Sequence, residues 1–242
     1  QSLNNGELAA LGRLHDADKA AETILAAERA GFENISADIM LATPMQSADS
    51  LSRTLDMLLK LPLTHISAYL LKVESGTPLS FNKPLREKVP DEDSTADMYL
   101  MTVKKLSSAG FEQYEISNFA RKGFECRHNL KYWRCEEYLG IGPSAHSFLD
   151  GDRYCCPEDT EKFIVEPLQE RIFLSKGGDP EERAMLALRL TKDGLRLADY
   201  PEAEKRAEPL IKSGLVKVEQ GAVMLTPEGC LVSNEIICRL IG

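Results

Sequence analysis

His128, Asn129, Tyr132 and Trp133 stand together in the run HNLKYW, and their types suit one chemistry in particular. An imidazole can be an axial ligand to a metal, and two aromatic rings beside it can wall a flat macrocycle. The same residues have a plainer reading, in which Tyr132 and Trp133 fill a core while His128 and Asn129 satisfy buried loop backbone. Chemistry alone favours the plainer reading, because most aromatic clusters are core. Cys126 precedes His128 by two residues and Cys135 follows it by seven, so ligand types for zinc are present, but the spacing matches no common zinc motif. His146 lies in GIGPSAHS, where the glycines would let backbone approach a ligand or another strand; as a tight turn, Gly140, Gly142 and Pro143 need no ligand. The adjacent Cys155 and Cys156 read as structural.

Arg13 reads as a solvated helix-end cation and Asp38 as an exposed loop acid. Glu74, Ser75, Gly76 and Thr77 follow an apolar strand as a turn, with Gly76 suited to positive φ and the Thr77 hydroxyl suited to bonding nearby backbone.

The elements that position these residues follow from periodicity. From Asp16 the run DADKAAETILAAERAG has helical spacing, opens on an N-cap residue and stops at Gly31, and FENISADIML then reads as a buried strand. Ser47 opens a second helix with Leu51, Leu55, Leu58 and Leu59 on one face, followed by the strand HISAYLL. A third helix spans Asp91 to Gly110, with Ala96, Tyr99, Leu100, Val103 and Leu106 as its stripe, and leads into FEQYEIS. Helices alternating with single apolar strands are the grammar of parallel α/β units, and the few strands visible are too few to close a barrel.

Residues 119–166, rich in Gly, Pro, Cys and aromatics, read as an irregular insert. Beyond them the spacing predicts helices over 181–190 and 199–213, a hairpin turning at Gln220 and Gly221, and one final helix in TPEGCLVSNEIICRL. The expected organisation is α/β, with parallel strands over 1–166 and a small winged-helix-like α+β domain over 167–242.

Composition narrows the functions. The 242 residues carry 29 Lys and Arg against 38 Asp and Glu, a net charge of −9, which disfavours a broad nucleic-acid surface. From Glu166 onward the balance is 11 Lys and Arg against 13 Asp and Glu, so the winged module lacks the basic recognition helix of a DNA reader. There is no apolar run of bilayer length, so membrane contact is expected to be peripheral at most. Six cysteines with no disulfide rhythm and no C-x-x-C point to reduced thiols and a cytoplasmic setting.

The opening QSLNNGELAALGRLH, the strand NISADIML and the segment HISAYLLKVESGTPL look like the second half of the barrel in the radical-SAM family of oxygen-independent coproporphyrinogen III oxidase-like proteins. HNLKYW, GIGPSAHS and the closing LxxxGLVxxxxGxxxLTxxG continue the likeness over essentially the whole chain. His128, Asn129, Tyr132 and Trp133 are similar to the signature of the haem-chaperone (HemW) branch rather than of the true oxidase.

The resemblance implies the fold, a partial (β/α) barrel, and S-adenosylmethionine bound through Gln1, Arg13 and Asp38. It implies a [4Fe–4S] cluster on C-x-x-x-C-x-x-C, and haem or porphyrin near His128, whose imidazole would meet the haem iron, with a haem-accepting protein as partner. No trio of cysteines here has the cluster spacing. The chain is therefore expected to be a C-terminal fragment of a radical-SAM oxidoreductase-like parent, inactive alone and prone to self-association at an unpaired sheet edge. The family's Gly-Leu-Pro after the Asp-bearing strand is Ala42, Thr43 and Pro44 here. The competing functions are an anaerobic, decarboxylating coproporphyrinogen III oxidase and, disfavoured by charge, a DNA-associated regulator.

Overall fold

The computed structural model describes residues 1–166 and 171–242. It forms two compact units, Gln1–Glu125 and Cys126–Gly242. The boundary expected at 166/167 adjoins residues 167–170, which lie outside the described residues, and the segment from Cys126 clusters with the C-terminal residues instead.

The first unit runs α1 (Asn5–Ala10), α2 (Ala17–Arg29), β1 (Ser36–Leu41), α3 (Ala48–Leu58), β2 (His65–Leu70), α4 (Pro78–Phe81), α5 (Lys83–Arg86), α6 (Glu92–Ser108), β3 (Glu112–Glu115) and β4 (Asn118–Ala120). The caps are those the sequence announces. Asp16 accepts from Lys19 N–H at 2.8 Å, Asp91 from Ser94 N–H at 2.8 Å, and Ser47 and Ser50 cap each other's backbone reciprocally. Gly31 ends α2 at φ 90°, where a Cβ would be strained. β1 and β2 pair in parallel, as the intervening helix requires.

One expectation needs amending. The third strand, β3, does not join β2; the three-residue β4 inserts between them antiparallel to both, giving the order β1-β2-β4-β3. The sheet is therefore mixed, and it does not close among the described residues. Leu41, Leu51, Leu55, Ile66, Leu106 and Phe119 are fully buried and form the core on which α3 and α6 pack. On α6 the buried face is set by Met98, Tyr99, Thr102, Val103 and Leu106, a slight rotation from the expected stripe, leaving Ala96 and Leu100 half-buried.

The second unit runs α7 (Arg127–Trp133), β5 (His146–Leu149), β6 (Asp152–Cys155), α8 (Thr160–Val165), β7 (Ile172–Lys176), α9 (Pro180–Ala187), β8 (Leu195–Arg196), α10 (Pro201–Lys212), β9 (Val216–Glu219), β10 (Ala222–Leu225), α11 (Pro227–Leu231) and α12 (Ser233–Ile241). The expected irregular insert is thus only partly irregular. It supplies α7, α8 and the β5–β6 hairpin, which β7 extends to an antiparallel three-stranded sheet.

In the C-terminal module Gln220 and Gly221 turn the β9–β10 hairpin with φ of 51° and 78°, the left-handed pair a two-residue turn needs. β8 adds a third strand to this wing, and the single expected final helix breaks at Val232 into α11 and α12. No helix among the described residues is long and apolar enough to cross a membrane.

Candidate functional site

In the first unit, Gln1 and Asp38 line one open groove of about 650 Å³, together with His15, Lys19, Thr23 and Ser36. Asp38 stands near the middle of β1, and the backbone carbonyl of Gln1 accepts from Met40 N–H at 2.8 Å, which holds the two side by side. Of the three residues singled out from the resemblance, Gln1 and Asp38 therefore share a groove, and Arg13 stands outside its lining.

Their polar groups are unspent. The buried Gln1 Oε1 has no hydrogen-bond partner, and neither the Asp38 carboxylate nor the Arg13 guanidinium makes a side-chain bond or ion pair among the described residues. A buried acceptor without a donor is costly in isolation. An unspent amide oxygen and a carboxylate beside an open groove fit the sugar hydroxyls of S-adenosylmethionine, while the Arg13 guanidinium lies outside the lining.

Behind the groove lies a device that periodicity did not reveal. His65, buried in β2, has Nδ1 2.8 Å from Ser36 Oγ on β1 and Nε2 2.9 Å from Tyr114 Oη on β3. Burial lowers its pKa, with the Asp38 charge pulling back the other way. The buried Glu7 carboxylate accepts from Ser2 at 2.7 Å, Gln46 at 2.9 Å and Ser50 at 2.6 Å, and Gln46 Oε1 in turn accepts from Ala42 N–H at 2.7 Å. That last bond holds Ala42 at φ 59°, a left-handed conformation at the position where the family pattern has glycine. In sequence, His65 looked like part of an apolar strand, and nothing marked Glu7.

The turn after β2 takes its plain reading. Gly76 has φ 83°, and the Thr77 hydroxyl donates to Glu74 carbonyl at 2.7 Å.

In the second unit the HNxxYW residues divide between two faces of α7, as their spacing dictates. His128 and Tyr132, four apart, form one pair: Nε2 lies 2.9 Å from the Tyr132 oxygen, and the Tyr132 ring meets Tyr138 edge-on at 4.5 Å. His128 is solvent-exposed, so its ring is open to a ligand. Trp133 turns elsewhere, under the Arg189 guanidinium at 4.4 Å. Asn129 makes no side-chain hydrogen bond among the described residues. His146 opens β5 opposite Cys155, and a Cβ on Gly140 would fall 2.1 Å from its carbonyl oxygen, so that glycine serves a close backbone approach. Cys135, Cys155, Cys156 and Cys238 are free thiols, and no group of three metal-ligating side chains occurs among the described residues. Burial raises the Cys135 pKa, which keeps that thiol protonated and inert.

No protein-family profile matches the chain. It is 34% identical over 250 residues to the "Heme chaperone HemW" of Mycobacterium tuberculosis (strain CDC 1551 / Oshkosh), a match covering 100% of this chain and 64% of that protein. It is 31% identical over 259 residues to the "Heme chaperone HemW" of Bacillus subtilis (strain 168), covering 100% of this chain and 68% of that one. Among solved structures it resembles the coproporphyrinogen III oxidase (HemN) from Escherichia coli, described as a radical SAM enzyme, with a TM-score of 0.72 over 99% of this chain and 62% of that one. At 17% identity that likeness speaks for the fold. The chain thus spans a little under two thirds of the length of the mycobacterial relative.

Proposed function

The chain belongs to the HemW haem-chaperone family of radical-SAM proteins, and from that premise we propose that the intact protein traffics haem, binding S-adenosylmethionine beside Asp38 and a haem or porphyrin against α7. The observation that carries the haem reading is the exposed His128 imidazole, braced by Tyr132 at 2.9 Å and backed by Tyr138. One ring nitrogen engaged and the other available is the arrangement that fixes a ligating histidine's tautomer. Flanking tyrosine rings give a flat macrocycle an apolar face to lie on.

For S-adenosylmethionine, Arg13 would take the carboxylate, and Gln1 and Asp38 the ribose hydroxyls. When bound with an iron–sulfur cluster, that molecule supplies radical chemistry. The residues present do not fit the cluster: all six cysteines fall at position 126 or later, and no three have its spacing. These 242 residues alone are accordingly expected to show no radical activity. Free thiols at Cys135, Cys155, Cys156 and Cys238 suit a reducing compartment, with the cytoplasm our preferred location. The further partner is a protein that accepts the haem.

Titration with haemin tests the reading. A saturable Soret shift is expected, weakened at least tenfold by His128→Ala; an identical titration in the variant would remove His128 from the site. Turnover of coproporphyrinogen by the intact, cluster-loaded protein would move the assignment to the oxidase.

A further inference from the structure

A second feature of α7 lies apart from His128. Trp133 and Arg134, at the end of the helix, form one wall of a cavity of about 380 Å³, completed by Arg183 of α9, Asp193, Arg196 of β8 and Tyr200. Small-molecule sites run from roughly 300 to 1,000 Å³, so this one has room for a small anion or a ligand's arm rather than for a macrocycle.

Its charges do not cancel. Arg134 pairs with Asp193 at 3.1 Å and Arg196 with Asp199 at 2.8 Å, which uses both lining carboxylates. Arg183 is left over. Its Nε donates to the Gly178 carbonyl at 2.7 Å, which fixes the plane of the guanidinium, and its terminal nitrogens meet no carboxylate among the described residues. The second unspent donor is the Trp133 indole. Its Nε1–H is buried without an acceptor among the described residues, and the Arg189 guanidinium stacked on the ring at 4.4 Å keeps the indole in place.

We propose that this cavity is a carboxylate subsite, in which the Arg183 guanidinium and the Trp133 indole N–H hold one carboxylate group. A planar anion with two acceptor oxygens matches a guanidinium fork plus a single N–H. A doubly charged phosphate would sit against the flanking Asp193 and Asp199 with a single surplus cation, which favours a monoanion. The subsite's existence stands on the cavity itself. Its natural occupant, a carboxylate arm of a tetrapyrrole, rests on the haem reading above.

Trp133 is the chain's single tryptophan, so the cavity carries its own reporter. Titration with butyrate at constant ionic strength is expected to change the Trp133 fluorescence saturably, while chloride does not; Arg183→Gln weakens the response at least tenfold. A butyrate trace matching the chloride control, a response unchanged in Arg183→Gln, or tighter binding of inorganic phosphate than of butyrate would overturn the assignment. A parallel comparison needs no variant: haemin should bind the unaltered chain at least tenfold more tightly than haemin dimethyl ester. Equal affinity sinks the tetrapyrrole arm and leaves haem at His128 standing. No Soret shift with either compound, beside a saturable butyrate response, removes the haem reading and keeps the subsite.

Discussion

At the residue scale the consequential group is His65, because its two nitrogens join strands on either side of it, Ser36 on β1 and Tyr114 on β3. A neutral imidazole satisfies both contacts with one donor and one acceptor, whereas the protonated ring would carry a charge into the core. Burial puts its pKa below the ordinary 6.5, so the unfolded chain takes up a proton at this site before the folded one does as the pH drops. The stability tied to neutral His65 is therefore complete above about pH 6.5 and is lost as the pH falls through the folded value. Thermal unfolding at pH 7.5 and 5.5 should show a larger drop for the native chain than for His65→Asn, which itself costs about 1–3 kcal/mol at the higher pH. Equal drops would mean that His65 is not the titrating group.

Ala42 offers the converse test. Its φ of 59° costs an L-residue about 1–2 kcal/mol, and glycine gives back part of that gain in the unfolded chain. Ala42→Gly should stabilise by up to about 1 kcal/mol in urea unfolding, and a loss of that size would refute the strain. Gln1, Arg13 and Asp38 were singled out through the family resemblance, since an amide, a guanidinium and a carboxylate mark no site by their types alone. His65 and Glu7 were hidden because their partners lie on other elements, as far as 49 residues away for Tyr114.

At the element scale the α/β alternation was readable because each helix carries its own cap and each central strand is short, apolar and bounded. β4 was not, since three residues straight after β3 carry no period of their own. The β5–β6–β7 sheet escaped for a related reason: the half-buried β6 and the exposed β7 show no clean apolar alternation. The winged module was read correctly but for the third wing strand β8 and the break at Val232, and one glycine there is indispensable. A Cβ on Gly229 would lie 1.9 Å from the Leu215 carbonyl oxygen, which already accepts from Thr226. Gly229→Ala should force α11 away from the wing and destabilise the second unit by about 1–3 kcal/mol. Trp133 emission during thermal unfolding reports that unit, and a midpoint within a degree of the native chain would show that the contact yields freely.

At the scale of the whole molecule, β1 is bonded to β2 along one side and, among the described residues, open along much of the other. Leu41 and Ile35 direct their carbonyls to the β2 side, so the even-numbered residues between them turn backbone outward; Met40 N–H meets the Gln1 carbonyl there. An exposed strand edge invites another strand. Sedimentation velocity over a hundredfold concentration range should reveal association, reduced in Asp38→Pro, where a proline removes an outward N–H. A single concentration-independent species would argue that the edge is inert. The Met40–Gln1 bond has one more effect. It is a filled rung on an otherwise bare ladder, and a ladder with one rung in place has lost the freedom to slide: whatever chain aligns with β1 must do so in the phase that Gln1 sets, with the Asp38 carboxylate standing at the seam.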